Sequence, residues 1–304
     1  MKIFITGGTG YVGRQIIRDL VKSGHSVTAL IRSGSENKIP TELDGKINIV
    51  FGDIIHPETY RNSLIGIEAI INLPGLLREF PKKGIKFEDV HFLGTKILID
   101  EAKKAVVSRF IQMSALGVRE NSFTKYQQTK FKAEEYLKQS GLNFTIFRPS
   151  VIFGNEKEGQ INFITVLSEL LNLLPIFVPV VGKGLYKFQP ASIENVSQGF
   201  VKALSTPESI GKTFEVTGKD VYTYNQILEM IMHARSNYKI KLYQPYFVMK
   251  ILSKLLDRFP FFPISEGQLI MLKENSVSEN WNEFYSTFGI QPIRLVETIN
   301  KNLN

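Results

Sequence analysis

Three residues are of the right type and spacing to move a proton. Tyr126 and Lys130 lie four apart in Tyr126-Gln127-Gln128-Thr129-Lys130, which opens a predicted helix running to about Gln139. That spacing places both on one helix face. A cationic amine beside a phenol favours phenolate and lowers the tyrosine pKa. Ser114 stands at the carboxyl end of a predicted strand, Arg109 to Met113. A hydroxyl there can hold a carbonyl oxygen while the tyrosine gives or takes the proton. A surface Tyr/Lys pair has the same spacing, so the reading depends on what lies upstream.

Upstream is a cradle for phosphate. Lys2 to Thr6 reads as a short buried strand, and Gly7-Gly8-Thr9-Gly10-Tyr11-Val12-Gly13 follows at once. Val12, Ile16, Ile17, Leu20 and Val21 then recur at helical spacing. Strand, glycine turn and helix start are what a pyrophosphate needs: close backbone approach, free N–H groups and a positive dipole end. Gly7, Thr9, Gly10, Tyr11, Val12 and Gly13 are the expected phosphate-side residues. Arg32 ends the second predicted strand, Ser26 to Ile31, with Ser33 beside it. An acidic residue there would bond a ribose 2′-hydroxyl, whereas arginine accommodates a 2′-phosphate. The cofactor expected is therefore NADP(H), in preference to NAD(H). Asp53, in Gly52-Asp53-Ile54 after the third strand, can accept from an adenine amino group. Leu73, Pro74 and Gly75 end the fourth strand with small residues over which a dinucleotide can pass.

Strands and helices alternate six times up to Asn143–Arg148, with a long helix expected from Phe87 to Ala105. This predicts an α/β fold with a doubly wound parallel sheet, the Rossmann arrangement. Pro149 leaves the sixth strand, and after Gly154 the pattern changes. Residues 1–155 are read as the nucleotide-binding domain, with segments near 185–218 returning to it. Residues 156–304 are read as a smaller, mainly helical lobe for substrate or interaction. An apolar helix is expected from Ile161 to Leu174, interrupted by Pro175 to Pro179.

Composition narrows the functions. The chain has 304 residues, 43% of them hydrophobic, which is ample for a core. It has no cysteine, so disulfides, thiolate metal sites and cysteine nucleophiles are excluded. Four histidines show no ligand spacing, and no metal is expected. The first strand begins at Lys2 and no apolar run matches a bilayer's thickness, so a cytoplasmic protein is expected. The net charge of +8 is unevenly placed. Residues 231–273 hold seven Lys or Arg against Asp257 and Glu266. No nucleic-acid module surrounds them. Within this segment, Tyr246 to Phe259 has a wide apolar face beside Lys250, Ser253, Lys254, Asp257 and Arg258, and Phe261-Phe262-Pro263 extends it. A basic amphipathic helix with a bulky aromatic end can lie in a membrane interface, so peripheral membrane contact through 246–263 is expected as an alternative to packing on the lobe. The oligomeric state and the small-molecule substrate are not legible.

Taken together, these motifs resemble the short-chain dehydrogenase/reductase superfamily, in its extended or atypical, epimerase/dehydratase-like branch. Thr6 to Gly13 is similar to the nucleotide motif, Ser114, Tyr126 and Lys130 to the catalytic Ser-Tyr-Lys set, and Gly52-Asp53 to the adenine-contacting pair. Arg148-Pro149-Ser150-Val151-Ile152-Phe153-Gly154 resembles the segment leading into the substrate lobe. Asn72-Leu73-Pro74-Gly75-Leu76-Leu77, Met113 to Val118 and Phe262 to Gln268 resemble the group around the NADPH-binding accessory subunit of respiratory complex I. The resemblance implies that Tyr126 is the acid/base, that Lys130 lowers its pKa and holds the ribose, and that Ser114 orients the substrate oxygen. One departure stands out. His91, in Val90-His91-Phe92-Leu93-Gly94, replaces an asparagine that in many members holds a water of the proton relay. Two readings follow: an NADP(H)-dependent oxidoreductase (or a nucleotide-sugar epimerase or dehydratase), and a protein that holds NADPH as a structural element near a membrane or partner.

Overall fold

The computed structural model describes residues 1–81, 84–154, 162–256 and 264–302. Its first half is built from nearly continuous apolar runs, as strands buried on both faces require. β1 (Lys2–Thr6) is followed by α1 (Tyr11–Lys22), β2 (Ser26–Ile31), β3 (Asn48–Phe51) and β4 (Ala69–Asn72). Ile3, Phe4, Ile5 and every residue of β4 are buried. A π-helical turn, Glu88–Leu93, then runs into α2 (Gly94–Lys104). The single helix expected from Phe87 to Ala105 thus has two pitches. β5 (Arg109–Met113), α3 (Lys125–Lys138) and β6 (Asn143–Pro149) follow; the expected strand–helix alternation is interrupted from β2 to β4, which short 3-10 turns connect.

The later elements are shorter. They are β7 (Ile152–Phe153), α4 (Phe163–Asn172), β8 (Phe177–Val181), β9 (Lys187–Phe188), β10 (Ala191–Ser192), α5 (Ile193–Ala203) and β11 (Lys212–Val216). After them come β12 (Tyr222–Thr223), α6 (Tyr224–Ala234), β13 (Ile240–Gln244), α7 (Tyr246–Leu256), α8 (Glu266–Lys273), α9 (Trp281–Phe288) and α10 (Leu295–Asn302). The prolines from 175 to 179 do not merely interrupt a helix: Phe177–Val181 pairs in parallel with Ile240–Gln244. Asp257 to Pro263, the aromatic end expected on α7, lie outside the described residues.

The main sheet has the order β11-β6-β5-β4-β1-β2-β3, and the pairings from β3 across to β6 are parallel. The chain builds outward from β1 to β3, then crosses and builds outward from β4 to β6. The order therefore reverses between β1 and β4. In an open parallel sheet, ligands bind outside the strand carboxyl ends at that reversal.

The chain divides into two compact units. One comprises Met1–Pro149, Glu194–Glu215 and Glu283–Ile290. Its core includes Phe4, Leu64, Ile70, Leu98, Phe110 and Ile146. Buried Arg109 ties its later segment to the sheet, donating to the Ala203 carbonyl at 3.0 Å and the Asn143 carbonyl at 2.8 Å. Burial pushes that guanidinium down to about 10. The other unit comprises Ser150–Ile193, Val216–Asn282 and Gln291–Asn304. It has its own core, including Ile164, Leu171, Val180, Ile227, Ile231 and Leu295, and three two-stranded sheets.

Candidate active site

The glycine turn is shaped by sterics. Gly7 has φ 73°, a left-handed conformation that a side chain would strain. A Cβ on Gly13 would lie 2.3 Å from the Gly7 carbonyl oxygen, so the first turn of α1 sits directly on the strand end. A Cβ on Gly7 would lie 3.1 Å from the Pro74 nitrogen, so the turn also abuts the end of β4. Gly10 is the N-cap of α1 and contributes no side-chain cap, and the first helical turn carries no acidic residue. That is the donor set an anion needs at a helix start. A dinucleotide pyrophosphate therefore fits the residues present. Thr9 and Tyr11 are half-buried at this turn, and Val12 is buried beneath it.

The adenosine-side residues are separate. Arg32 and Ser33 are exposed past the end of β2, and among the described residues the Arg32 guanidinium has no partner. Asp53 accepts from the Ile55 N–H at 3.2 Å through Oδ1. Ile54 is buried in the core, where its side chain would meet a Cβ on Gly94 at 2.6 Å.

Beneath the strand ends runs a buried polar chain. Asn72, fully buried, accepts from Thr6 Oγ1 at 2.5 Å and donates to Thr95 Oγ1 at 3.0 Å and Gln112 Oε1 at 2.8 Å. Gln112 donates onward to the Met113 carbonyl at 2.9 Å. Lys130 Nζ donates to that same carbonyl at 3.4 Å. The network joins β1, β4 and β5 to the catalytic-type lysine. A fully satisfied buried network of this kind fixes one geometry.

Lys130 is brought to Tyr126 and to the peptide that leads into Ser114. The Met113 carbonyl belongs to the peptide that leads into Ser114, so Lys130 and Ser114 are one peptide apart. Lys130 Nζ lies 5.7 Å from the Tyr126 ring centroid. A Cβ on Gly75 would lie 3.6 Å from the same nitrogen, which brings the loop after β4 to it as well. Leu73 is buried and donates to the Thr6 carbonyl at 3.2 Å. Pro149, also buried, accepts from the Leu116 N–H at 2.9 Å and holds the loop after Ser114. Ser114 Oγ is buried and, among the described residues, has no hydrogen-bond partner. A buried hydroxyl left unpaired costs about 1–3 kcal/mol, so it marks a place where a ligand oxygen is wanted.

The electrostatics differ from expectation at one point. Burial pushes the Lys130 ammonium down to about 8, opposed by Glu134 one turn along α3. Burial pushes the Tyr126 phenol up, while the Lys130 amine near its ring also donates to the Met113 carbonyl. Glu134 is itself completely buried and held by Arg148 through two bonds of 2.9 and 2.5 Å.

His91 is the residue whose part sequence reasoning missed. It is buried, accepts from the Leu76 N–H at Nε2 (2.9 Å) and meets Thr129 Oγ1 at Nδ1 (3.0 Å). Its ring stacks on Phe87 at 5.2 Å and stands edge-on to Tyr126 at 5.3 Å. Asn72, Thr95, Gln112 and Thr129 were missed too. Their signal was faint: polar residues at strand ends and on the inner face of a helix.

The comparisons with known proteins agree with this construction. A family model described as NAD(P)H-binding matches residues 7–171. The mitochondrial NADH dehydrogenase [ubiquinone] 1 alpha subcomplex subunit 9 of Dictyostelium discoideum is 28% identical over 261 residues, 84% of this chain and 70% of that protein. Photosystem II assembly factor Ycf39 of Trieres chinensis is 24% identical over 302 residues, 98% of this chain and 90% of that protein. Among solved structures, a UDP-glucuronic acid 4-epimerase from Bacillus cereus in complex with NAD superposes with a TM-score of 0.77 at 17% identity, covering 100% of this chain and 96% of that one. At that identity the likeness is one of fold. A family match spanning more than half of the chain, laid over a glycine cradle at the switch point of a doubly wound sheet, makes the protein a member of the NAD(P)H-binding family.

Proposed function

We propose that this chain binds NADP(H) across the strand ends and exchanges hydride between it and a carbonyl or hydroxyl carbon held at Ser114 and Tyr126. The observation that carries the reading is Ser114 Oγ, buried without a partner one peptide from Lys130. The nicotinamide ring, when bound, supplies or accepts the hydride. Ser114 then donates to the substrate oxygen. Tyr126 gives that oxygen a proton in the reducing direction and takes it back in the other. Lys130, when charged, stabilises the phenolate and bonds a ribose hydroxyl. Arg32, exposed and unpartnered, supports NADP(H) over NAD(H) through its charge toward a 2′-phosphate. The test is Tyr126→Phe in a screen of NADPH oxidation against quinones, aldehydes and ketones. Loss of turnover with NADPH binding retained is expected; unchanged turnover on every accepted substrate would overturn the assignment.

A second reading has its own observation. On α7, Phe247, Ile251 and Leu255 are 66%, 57% and 62% exposed, in one stripe at i, i+4, i+8, with exposed Lys250 and Lys254 beside it. An apolar stripe edged by cations complements an anionic lipid surface. Among the described residues no helix is long and apolar enough to cross a membrane. Relatives carry the names of a mitochondrial NADH dehydrogenase subunit and a photosystem assembly factor. In this reading NADP(H) is retained as a structural element and the protein rests on a membrane surface. Flotation with vesicles containing phosphatidylglycerol, at low salt, checks it. Association that Phe247→Glu/Ile251→Glu removes is expected; no association would remove the membrane contact.

A further inference from the structure

We infer that His91 is a positioning residue, locked as the neutral Nδ1–H tautomer, which ties the loop after β4 to the first turn of α3 and slows the release of NADP(H). The inference rests on the NADP(H) reading above for its effect on release, and on geometry alone for the tautomer.

The geometry assigns both ring nitrogens. The Leu76 N–H is a donor and points at Nε2, so Nε2 carries the lone pair. Nδ1 must then carry the proton, and it donates to Thr129 Oγ1 at 3.0 Å. Thr129 Oγ1 spends its own proton on the Tyr126 carbonyl at 3.1 Å. The sequence of donors is complete: Leu76 to His91, His91 to Thr129, Thr129 to Tyr126. A proton added at Nε2 would face the Leu76 N–H donor to donor. A relay needs a nitrogen that can alternately accept and release a proton, and neither nitrogen here is free to do so.

The surroundings point the same way. The ring is held between Phe87 and Tyr126. Lys130 on α3 acts on the ring and opposes a second cation there. Elsewhere on the elements that pack here, Glu79 accepts from the Phe87 N–H at 2.8 Å, and Glu88 pairs with Lys132 at 3.0 Å. Burial, and next Lys130, push the imidazole down to about 2. The π-helical turn Glu88–Leu93 is what delivers His91 to this position. Such turns are rare, and they recur at functional sites.

The consequence follows from where Leu76 lies. It directly follows Leu73, Pro74 and Gly75, the stretch over which the dinucleotide passes, and Gly75 lies beside Lys130. Fixing the Leu76 N–H fixes that stretch. Where an asparagine-held water would let protons pass, this chain has a tie.

Histidine-selective 15N labelling and long-range 1H–15N correlation on the wild-type protein test the tautomer. Between pH 5 and 8, His91 is expected to show a protonated Nδ1 and a bare Nε2 that do not move. Stopped-flow release of NADPH tests the tie. His91→Leu removes both bonds and is expected to speed release about tenfold. His91→Gln, whose carbonyl can accept from Leu76 and whose amide can donate to Thr129, is expected to restore most of the wild-type rate. A His91 signal that titrates between pH 5 and 8, an Nε2–H tautomer, or a Gln variant no slower than the Leu variant would each overturn the inference. Failure of the wild-type protein to bind NADPH would instead sink the functional reading and, with it, the release effect, while the tautomer measurement would stand by itself.

Discussion

α3 and α7 both break the usual rule for a surface helix, in opposite senses. α3 turns Gln127, Thr129, Lys130 and Glu134 inward. α7 turns Phe247, Ile251, Leu252 and Leu255 outward and buries Ser253. Neither is a cheap arrangement. Taking a lysine and a glutamate out of water costs several kcal/mol unless partners compensate, and an exposed apolar stripe forgoes about 25 cal/mol per Å² of burial. On α3 the compensation is visible: Arg148 for Glu134, the Met113 carbonyl for Lys130, His91 for Thr129. On α7 none is visible within its own unit. The contrast separates a site completed inside the fold from a surface that awaits something outside it. Departures from patterning of both kinds are where function is expected to reside.

The contrast can be broken at several points. The largest effect is expected from Glu134→Ala. It leaves the half-buried Arg148 guanidinium without its carboxylate and should cost about 3 kcal/mol in urea unfolding. A cost below about 1 kcal/mol would mean that the pair contributes little. Acid comes next. The His91 pKa is depressed in the folded chain, so the unfolded chain binds the extra proton and stability falls as pH drops below 6.5. Between pH 7 and 4.5 this one group should cost about 2–3 kcal/mol, and His91→Gln should remove that share of the acid slope. Lys130 has the same sign at higher pH. Its folded pKa is near 8 against 10.5 unfolded, so its cost is fully present at pH 7 and stability recovers as pH rises from 8 toward 10.5. Lys130→Met should therefore stabilise the fold by about 1–3 kcal/mol at pH 7 while weakening NADPH binding. A Lys130→Met protein that is less stable would show that the Met113 bond outweighs desolvation. The smallest effect on folding belongs to Phe247→Glu/Ile251→Glu: within about 0.5 kcal/mol, because those side chains are already in water. A large loss there would mean that the stripe is packed after all.

How much of this was readable follows the same divide. The six parallel-sheet strands and the glycine turn could be read because each depends on local spacing and on residue types with few other uses, whereas the expected strand–helix alternation fails from β2 to β4, which are joined by short 3-10 turns. Segments near 185–218 were expected back beside the sheet, and Lys212–Val216 stands there as the edge strand β11. The π-helical turn was not, because the residues from Phe87 to Ala105 keep an ordinary helical apolar pattern and a change of pitch has no residue signature. Spacing put Lys130 beside Tyr126, and only the fold shows that the amine also meets a backbone carbonyl at the end of β5. The pairing of Phe177–Val181 with Ile240–Gln244 joins segments about sixty residues apart, one of them marked by prolines. Ser253 illustrates the limit of helical wheels: its place among charged residues predicted exposure, and it is fully buried.

A dinucleotide site proposed to select the 2′-phosphate is open to one direct titration. Protein fluorescence is followed as NADPH and, separately, NADH are added to the wild-type chain and to Arg32→Glu. Saturable NADPH binding is expected, with at least tenfold weaker NADH binding and a preference that is lost or reversed in Arg32→Glu. Equal affinity for the two, unchanged by Arg32→Glu, would contradict the selectivity, and no binding of either would contradict the site.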